Sequence, residues 1–400
     1  MNHLPSPAGI NSKLRWCVMR FRPFVLAAVL VVGVLPGAHA QNSLVNPPYT
    51  VDALVLVEGG RDLLKNATPD GVRVGPSGGV ELIEGRTAGS LTLAPQTAPF
   101  GFNELIPSWN GHAPAGTGFK VWMRAGNRGE ALTPWFEAGT WGDVPDEPTS
   151  RMAQFAHGIY NVDYLVLNRP ATIVEVRVDL VRPRADATSP QFSMLALSYT
   201  NTLGDRDLYA RQQKTAGGTV LKLPGKKAIQ HDVPFRSQVV PTSQWIGRIC
   251  SPASVSMCTA YFKSPMQTQQ MAGLLYDPVS DLFGVWHRSI MGASEAGVRG
   301  YLKRFRSWDT VRAELARGSV LCVSIRMKKG ELKEPPRVYQ RRGTEGHLIV
   351  LKGLTADGKA IVHDSASKDH GPNSVFLQED LAKAWFDKGG VTYVFTGPRK

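Results

Sequence analysis

Four residues of this 400-residue chain have the types and the order that acyl transfer through a thiol requires: Gln238, Cys250, His347 and Asp364. A sulfur nucleophile needs a base to take its proton, an acid to orient that base, and N–H donors for the tetrahedral oxyanion. Cys250 opens the run Cys250-Ser-Pro-Ala-Ser. Pro252 suits a first helical turn, because its missing N–H would have had no intrahelical partner and its φ is already helical. Val255, Cys258 and Phe262 then repeat at helical spacing, giving an apolar face, and Lys263-Ser264-Pro265 stops the helix. Residues 245–249 read as an extended approach to it. Cys250 is thereby predicted at a helix N-terminus, where unsatisfied N–H groups and the macrodipole favour a thiolate.

The other two groups sit on one predicted hairpin. Gly346 to Gly353 and Lys359 to Asp364 read as strands joined by a loop containing Asp357-Gly358, a strong turn signal. A four-residue loop, 355–358, puts His347 opposite Ala366. Asp364 is then its diagonal neighbour on the same face, about 7–8 Å away before the side chains reach inward. The same alternation sends His363 to the other face. The pattern therefore selects His347 as base and Asp364 as orienter. Gln238, twelve residues before Cys250, can add a side-chain N–H to the backbone N–H of Cys250 as an oxyanion donor. A lone glutamine is ordinarily structural, and its place just upstream of the nucleophile is what singles it out.

Competing uses of these residues are weaker. A metal site from Cys250, His347, His363 and Asp364 lacks a close-spaced ligand pair, and parity splits the two histidines. Cys258 lies on the apolar stripe and Cys322 in the strand-like Val320-Leu-Cys-Val-Ser-Ile325, so both read as small core residues, with a bond between them left open. Cys250 and Cys258 are about 12 Å apart along a helix, too far for a disulfide. His112, His157, His231, His287 and His370 read as surface or hydrogen-bonded polar residues. No cofactor is implied.

The wider chain sets the context. Lys13, Arg15, Arg20 and Arg22 precede an apolar run from Phe24 to Leu35, and Ala38-His39-Ala40 has the small-residue cleavage pattern. Residues 1–40 are thus predicted to be a signal peptide, and the run is short for a membrane anchor of about twenty residues. The mature protein is expected to be secreted or periplasmic, with no membrane span after cleavage. Its formal charge falls from +13 to +9, since the first forty residues carry four basic and no acidic side chains. The basic residues are scattered, which fits a solvated surface. Arg182-Pro-Arg184 and Arg341-Arg342 are too short to imply nucleic acid.

Length favours two domains. Residues 41–225 carry alternating runs such as Thr172-Ile-Val-Glu-Val-Arg-Val-Asp-Leu180 and little helical periodicity, the pattern of an all-β sandwich, expected to be of jelly-roll type. Trp109, Trp122, Trp135 and Trp141 make this half unusually aromatic. They read first as core or junction residues, with a sugar-binding face as the alternative. The polar stretch 211–219 marks a linker between about 200 and 228. Beyond it helix and strand mix: helices over 307–317 and 377–387, and a closing strand over 391–395.

His231-Asp-Val-Pro-Phe-Arg-Ser-Gln238, Cys250-Ser-Pro-Ala-Ser, Gly346-His347-Leu-Ile-Val and Asp364, in that order, resemble the papain-like cysteine peptidases similar to bacteriocin-leader-processing peptidases. The resemblance covers about residues 228–400 and implies an α+β papain-like domain over 226–400, with these four residues as oxyanion donor, nucleophile, base and orienter. Phe102-Asn-Glu-Leu-Ile-Pro-Ser-Trp-Asn110 also resembles β-rich domains N-terminal to exported members of the group. His363-Asp364-Ser365 departs from the usual Asn-Asp-Pro but keeps the acid. Leader peptidases are usually fused to a membrane transporter, and no such spans are present here. The expected activity is cleavage of a peptide or amide bond in a peptide or protein substrate, with the cell envelope as one source. The alternatives are acyl transfer or envelope-peptide amidase chemistry at the same site, or a non-catalytic glycan- or protein-binding protein.

Overall fold

Antiparallel pairing dominates both halves of the chain. The computed structural model describes residues 47–145, 148, 150–218, 227–241 and 245–398. The signal-peptide segment lies outside them. Twelve strands between Val51 and Asn201 form one sheet, and seven between Ile229 and Pro398 form a second. The long strand Tyr164–Val181 shows how the pattern works. Val174, Val176, Val178 and Leu180 are fully buried, while Glu175 on the alternate face pairs with Arg124 of the adjacent strand at 2.6 Å.

The second sheet is covered on both faces. Cys322, Leu348, Val350, Tyr393 and Phe395 pack against helices Cys250–Tyr261, Thr268–Leu275 and Trp286–Glu295. Their neighbours Leu321, Val323, Ile349, Leu351 and Val394 pack against helices Trp308–Ala316 and Gln378–Ala384. The period-two alternation of buried residues on the central strands is what allows both layers. Ser307 caps the fourth of these helices by accepting from Thr310 N–H at 3.3 Å, the role its sequence position predicts.

Two local expectations change. The stretch read as a linker is helical over Arg206–Gly218. Asp205 accepts from Leu208 N–H at 2.8 Å, and the Arg, Gln, Lys and Ala that follow are good helix formers despite their polarity. The approach to Cys250 is a turn and not a strand: Arg248 N–H donates to Trp245 O at 3.0 Å, and Gly247 takes a φ of 73° that favours glycine. No helix of the described residues is long and apolar enough to cross a membrane.

The sheets meet along Gln96–His112 of the first and Val298–Arg304 of the second. Asn110 Nδ2 donates to Gly300 O at 2.8 Å and Gly300 N–H donates to Asn110 Oδ1 at 3.2 Å. Leu302 N–H donates to Ser108 Oγ at 3.0 Å, and Arg304 pairs with Glu104 at 2.5 Å. Helix Trp286–Glu295 is held from the same side. Asp163 accepts from Trp286 N–H at 2.5 Å, and Glu295 Oε1 accepts from Trp141 Nε1 and Ala113 N–H, both at 2.8 Å. Arg151, buried, reaches Glu137 at 2.6 Å and Asp277 at 2.9 Å. The hydrophobic interior is continuous across this junction.

Candidate active site

Cys250 is the first residue of helix Cys250–Tyr261 and is half-buried, whereas Cys258 and Cys322 are fully buried; all three are free thiols. The helix is pinned to the strand Thr344–Leu354 by Ser254 Oγ, which donates to Leu348 O at 2.9 Å. Ser251 Oγ lies 2.9 Å from Ser289 Oγ, joining the same turn to the helix at the sheet junction.

The hairpin carrying His347 and Asp364 closes with three residues, Ala356, Asp357 and Gly358, since Thr355 N–H donates to Lys359 O at 2.9 Å. Leu354 therefore pairs with Ala360. An irregularity at Lys352 then brings Leu351 opposite Val362 and Val350 opposite His363, which is the register that a four-residue loop would have produced. His347 and Asp364 share a face as expected, with Ile325, Tyr339 and Phe376. The cysteine helix packs on the opposite face, against Leu348 and Val350. The imidazole meets the sulfur at the margin, where pairing between the two strands has stopped at His363.

Asp364 is fully buried. Its Oδ1 accepts from His347 Nε2 at 2.8 Å and from Ala366 N–H at 2.9 Å, and its Oδ2 accepts from Tyr339 Oη at 2.5 Å. An ionised carboxylate only accepts, so the proton is on His347 Nε2 and the other nitrogen is left for Cys250, with which His347 is hydrogen-bonded. Burial raises the Cys250 thiol, but the hydrogen bond and charge of His347, with the N–H groups of Leu348 and Ser251, outweigh it and hold the thiol below its ordinary value. Burial would lower the His347 imidazole, yet the Asp364 charge and hydrogen bond, then Cys250, push it up to about 10. Burial would raise Asp364, and His347, Tyr339 and Ala366 N–H bring it down instead. In Cys258 and Cys322 burial prevails and both thiols are pushed well up.

Gln238 lies beside this group. Its N–H donates to Ser365 O at 3.0 Å and its Oε1 accepts from Ser365 Oγ at 2.9 Å. Ser365 thus ties down the oxygen end of the amide, and among the described residues Nε2 has no hydrogen-bond partner. Tyr339 was not legible in the sequence: it stands in a short 3-10 turn, Arg337–Tyr339, with no spacing that relates it to Asp364.

The remaining candidates disperse. His363 lies on the other face from His347, 2.8 Å from Val233 O and edge-on to Phe235, and burial pushes it down to about 4. His112 pairs with Glu295 at 2.6 Å, His231 lies 3.1 Å from Leu315 O, and His157 and His370 are exposed. His287 is the exception to the surface-or-bonded expectation: it is buried, its Nδ1 has no hydrogen-bond partner among the described residues, and burial pushes it down to about 3. Trp109 stacks on it, with centroids 4.8 Å apart. Trp109 and Trp141 are buried at the junction, Trp122 donates to Asp179 at 2.9 Å, and Trp135 is exposed with the Arg124 guanidinium 4.6 Å over its ring. They form no exposed aromatic row.

Sequence comparison places the chain in the cysteine-peptidase class. Residues 57–199 match the family described as Peptidase C39 N-terminal domain, and residues 230–393 match the Peptidase C39 like family. The two matches together support a C39, bacteriocin-processing type of cysteine peptidase family for this chain. No curated protein and no solved structure matches it.

Proposed function

We propose that this chain is an exported cysteine peptidase that cleaves peptide or amide bonds with Cys250 as nucleophile, His347 as acid and base, Asp364 as orienter and Gln238 as oxyanion donor. The observation that carries the reading is the unbroken hydrogen-bonded series Cys250–His347–Asp364. The thiolate attacks the scissile carbonyl carbon, and the oxyanion is met by the N–H of Cys250 and by Gln238 Nε2. Collapse of the tetrahedral adduct breaks the C–N bond as His347 gives its proton to the leaving amine, leaving a thioester. Water, deprotonated by His347, then attacks the thioester. The carboxylic product leaves and the thiolate–imidazolium pair is restored. The substrate is a peptide or protein outside the cytoplasm, consistent with the N-terminal basic and apolar run.

Peptide-library profiling of the mature protein beside Cys250→Ala tests this. Cleavage by the first and none by the second, with a thioester adduct seen by mass spectrometry, is expected. Equal turnover by both proteins sinks the assignment, and product formation only when an amine is added would identify acyl transfer instead.

A further inference from the structure

We propose that Tyr339 is a positioning residue for the Cys250–His347 pair, acting through Asp364, and that it makes the loop over residues 328–343, which joins the paired strands Val320–Met327 and Thr344–Leu354, part of the reactive assembly. The proposal rests on the peptidase reading above. The carboxylate of Asp364 has two donors on Oδ1 and, among the described residues, one on Oδ2, the Tyr339 hydroxyl at 2.5 Å. Without the phenol, that buried oxygen would lose its partner, and the carboxylate could turn about its last torsion and take Oδ1 away from His347 Nε2.

The contact is built and not incidental. Tyr339 is itself buried, and its ring stands edge-on to His347 with centroids 6.4 Å apart, with Phe376 at 6.3 Å. The loop that delivers it is held at two further points and closed by a turn of its own. Asp380 accepts from Lys333 N–H at 3.0 Å and Glu334 N–H at 2.7 Å, Lys388 pairs with Glu331 at 2.7 Å, and Tyr339 N–H donates to Pro336 O at 2.8 Å. Burial and the Asp364 charge keep the phenol protonated, so it donates throughout the range in which a thiolate–imidazolium pair exists. Anything that shifts this loop shifts Asp364, then the ring, then the sulfur.

Tyr339→Phe in the full chain separates this from simple packing, because it keeps the ring against His347 and Phe376 and removes one hydroxyl. Cys250 alkylation by iodoacetamide, followed against pH, is the readout. A hydrogen bond to a buried charge has a strength equivalent to about one pH unit or more. The acid limb of the profile is expected to move up by that amount, with about a tenfold slower reaction on the acid side, and kcat on a cleaved peptide should fall with little change in KM. Site-specific 3,5-difluorotyrosine at 339, a stronger donor, should move the limb the other way and serves if the phenylalanine variant fails to fold. The His347 Nε2–H proton resonance should shift in both. A profile and resonance unchanged from wild type overturn the proposal while leaving the peptidase reading intact. A wild-type Cys250 no more reactive than Cys258 or Cys322 overturns both.

Discussion

Replacing His347 by alanine should slow alkylation of Cys250 at low pH and spare it at high pH, and the size of the effect follows from what surrounds the sulfur. In the native site burial raises the thiol, and the His347 hydrogen bond and charge are the main opposing influences, with the N–H groups of Leu348 and Ser251 behind them. His347→Ala leaves burial opposed by those two N–H groups alone. Each unit by which the thiol rises cuts the ionised fraction about tenfold at a fixed pH below it, while the surviving thiolate becomes about threefold more nucleophilic. The net loss is about threefold per unit. His347→Ala therefore predicts slower alkylation at pH 6, by about threefold for each tenfold fall in the ionised fraction. Above about pH 10 the native pair loses the imidazolium proton, because His347 is held up to about 10. There the variant's thiolate, intrinsically more nucleophilic, should close the gap to wild type. The sign is that of a thiol depressed and an imidazole raised: the pair exists between the two values and is lost on either side. The assay is iodoacetamide labelling from pH 5 to 11, with the Cys250 peptide quantified by mass spectrometry and folding checked by circular dichroism. Parallel curves for the two proteins at every pH, or equal labelling of Cys250, Cys258 and Cys322 in wild type, would refute the reasoning.

Three further outcomes are expected. Gln238→Ala should lower kcat by about 10²–10³ while leaving iodoacetamide labelling unchanged, since alkylation generates no oxyanion; a matching loss in both assays would make Gln238 structural. Arg151→Met, which removes the buried cation that Asp277 and Glu137 share at the junction, should destabilise by about 3–5 kcal/mol in urea unfolding, and a change under 1 kcal/mol contradicts that account. Gly371→Ala should abolish alkylation selectivity or folding, because a Cβ there would overlap the carbonyl oxygens of Asp364 and Ser367 in the turn that fixes Asp364; a fully active alanine variant would show that the turn can yield.

The parts of the site that were legible in the sequence are those governed by short periods. Alternation put His347 and Asp364 on one face and His363 on the other, even though the loop is one residue shorter than the one assumed and the irregularity at Lys352 compensates. Pro252 and the apolar repeat placed Cys250 at a helix start. What stayed hidden depends on long-range packing. Tyr339 reaches Asp364 from a turn 25 residues away, and nothing local marks it. Helix Arg206–Gly218 looked like a linker because its composition is polar, although its residues favour a helix. His287 looked like a surface histidine because sequence does not reveal that Trp109, from the other sheet, lies over it.

Asn110 offers its carboxamide to Gly300 in the same donor-and-acceptor sense as a peptide unit, so at this one position a side chain stands in for a missing strand. A hybrid that takes its first half from a relative would have to bring the matching amide, hydroxyl and carboxylate of positions 110, 108 and 104 with it, or leave the backbone groups of Gly300 and Leu302 and the Arg304 guanidinium without those partners. Modular exchange between such proteins is therefore constrained at the seam, well before any question of which bond is cut.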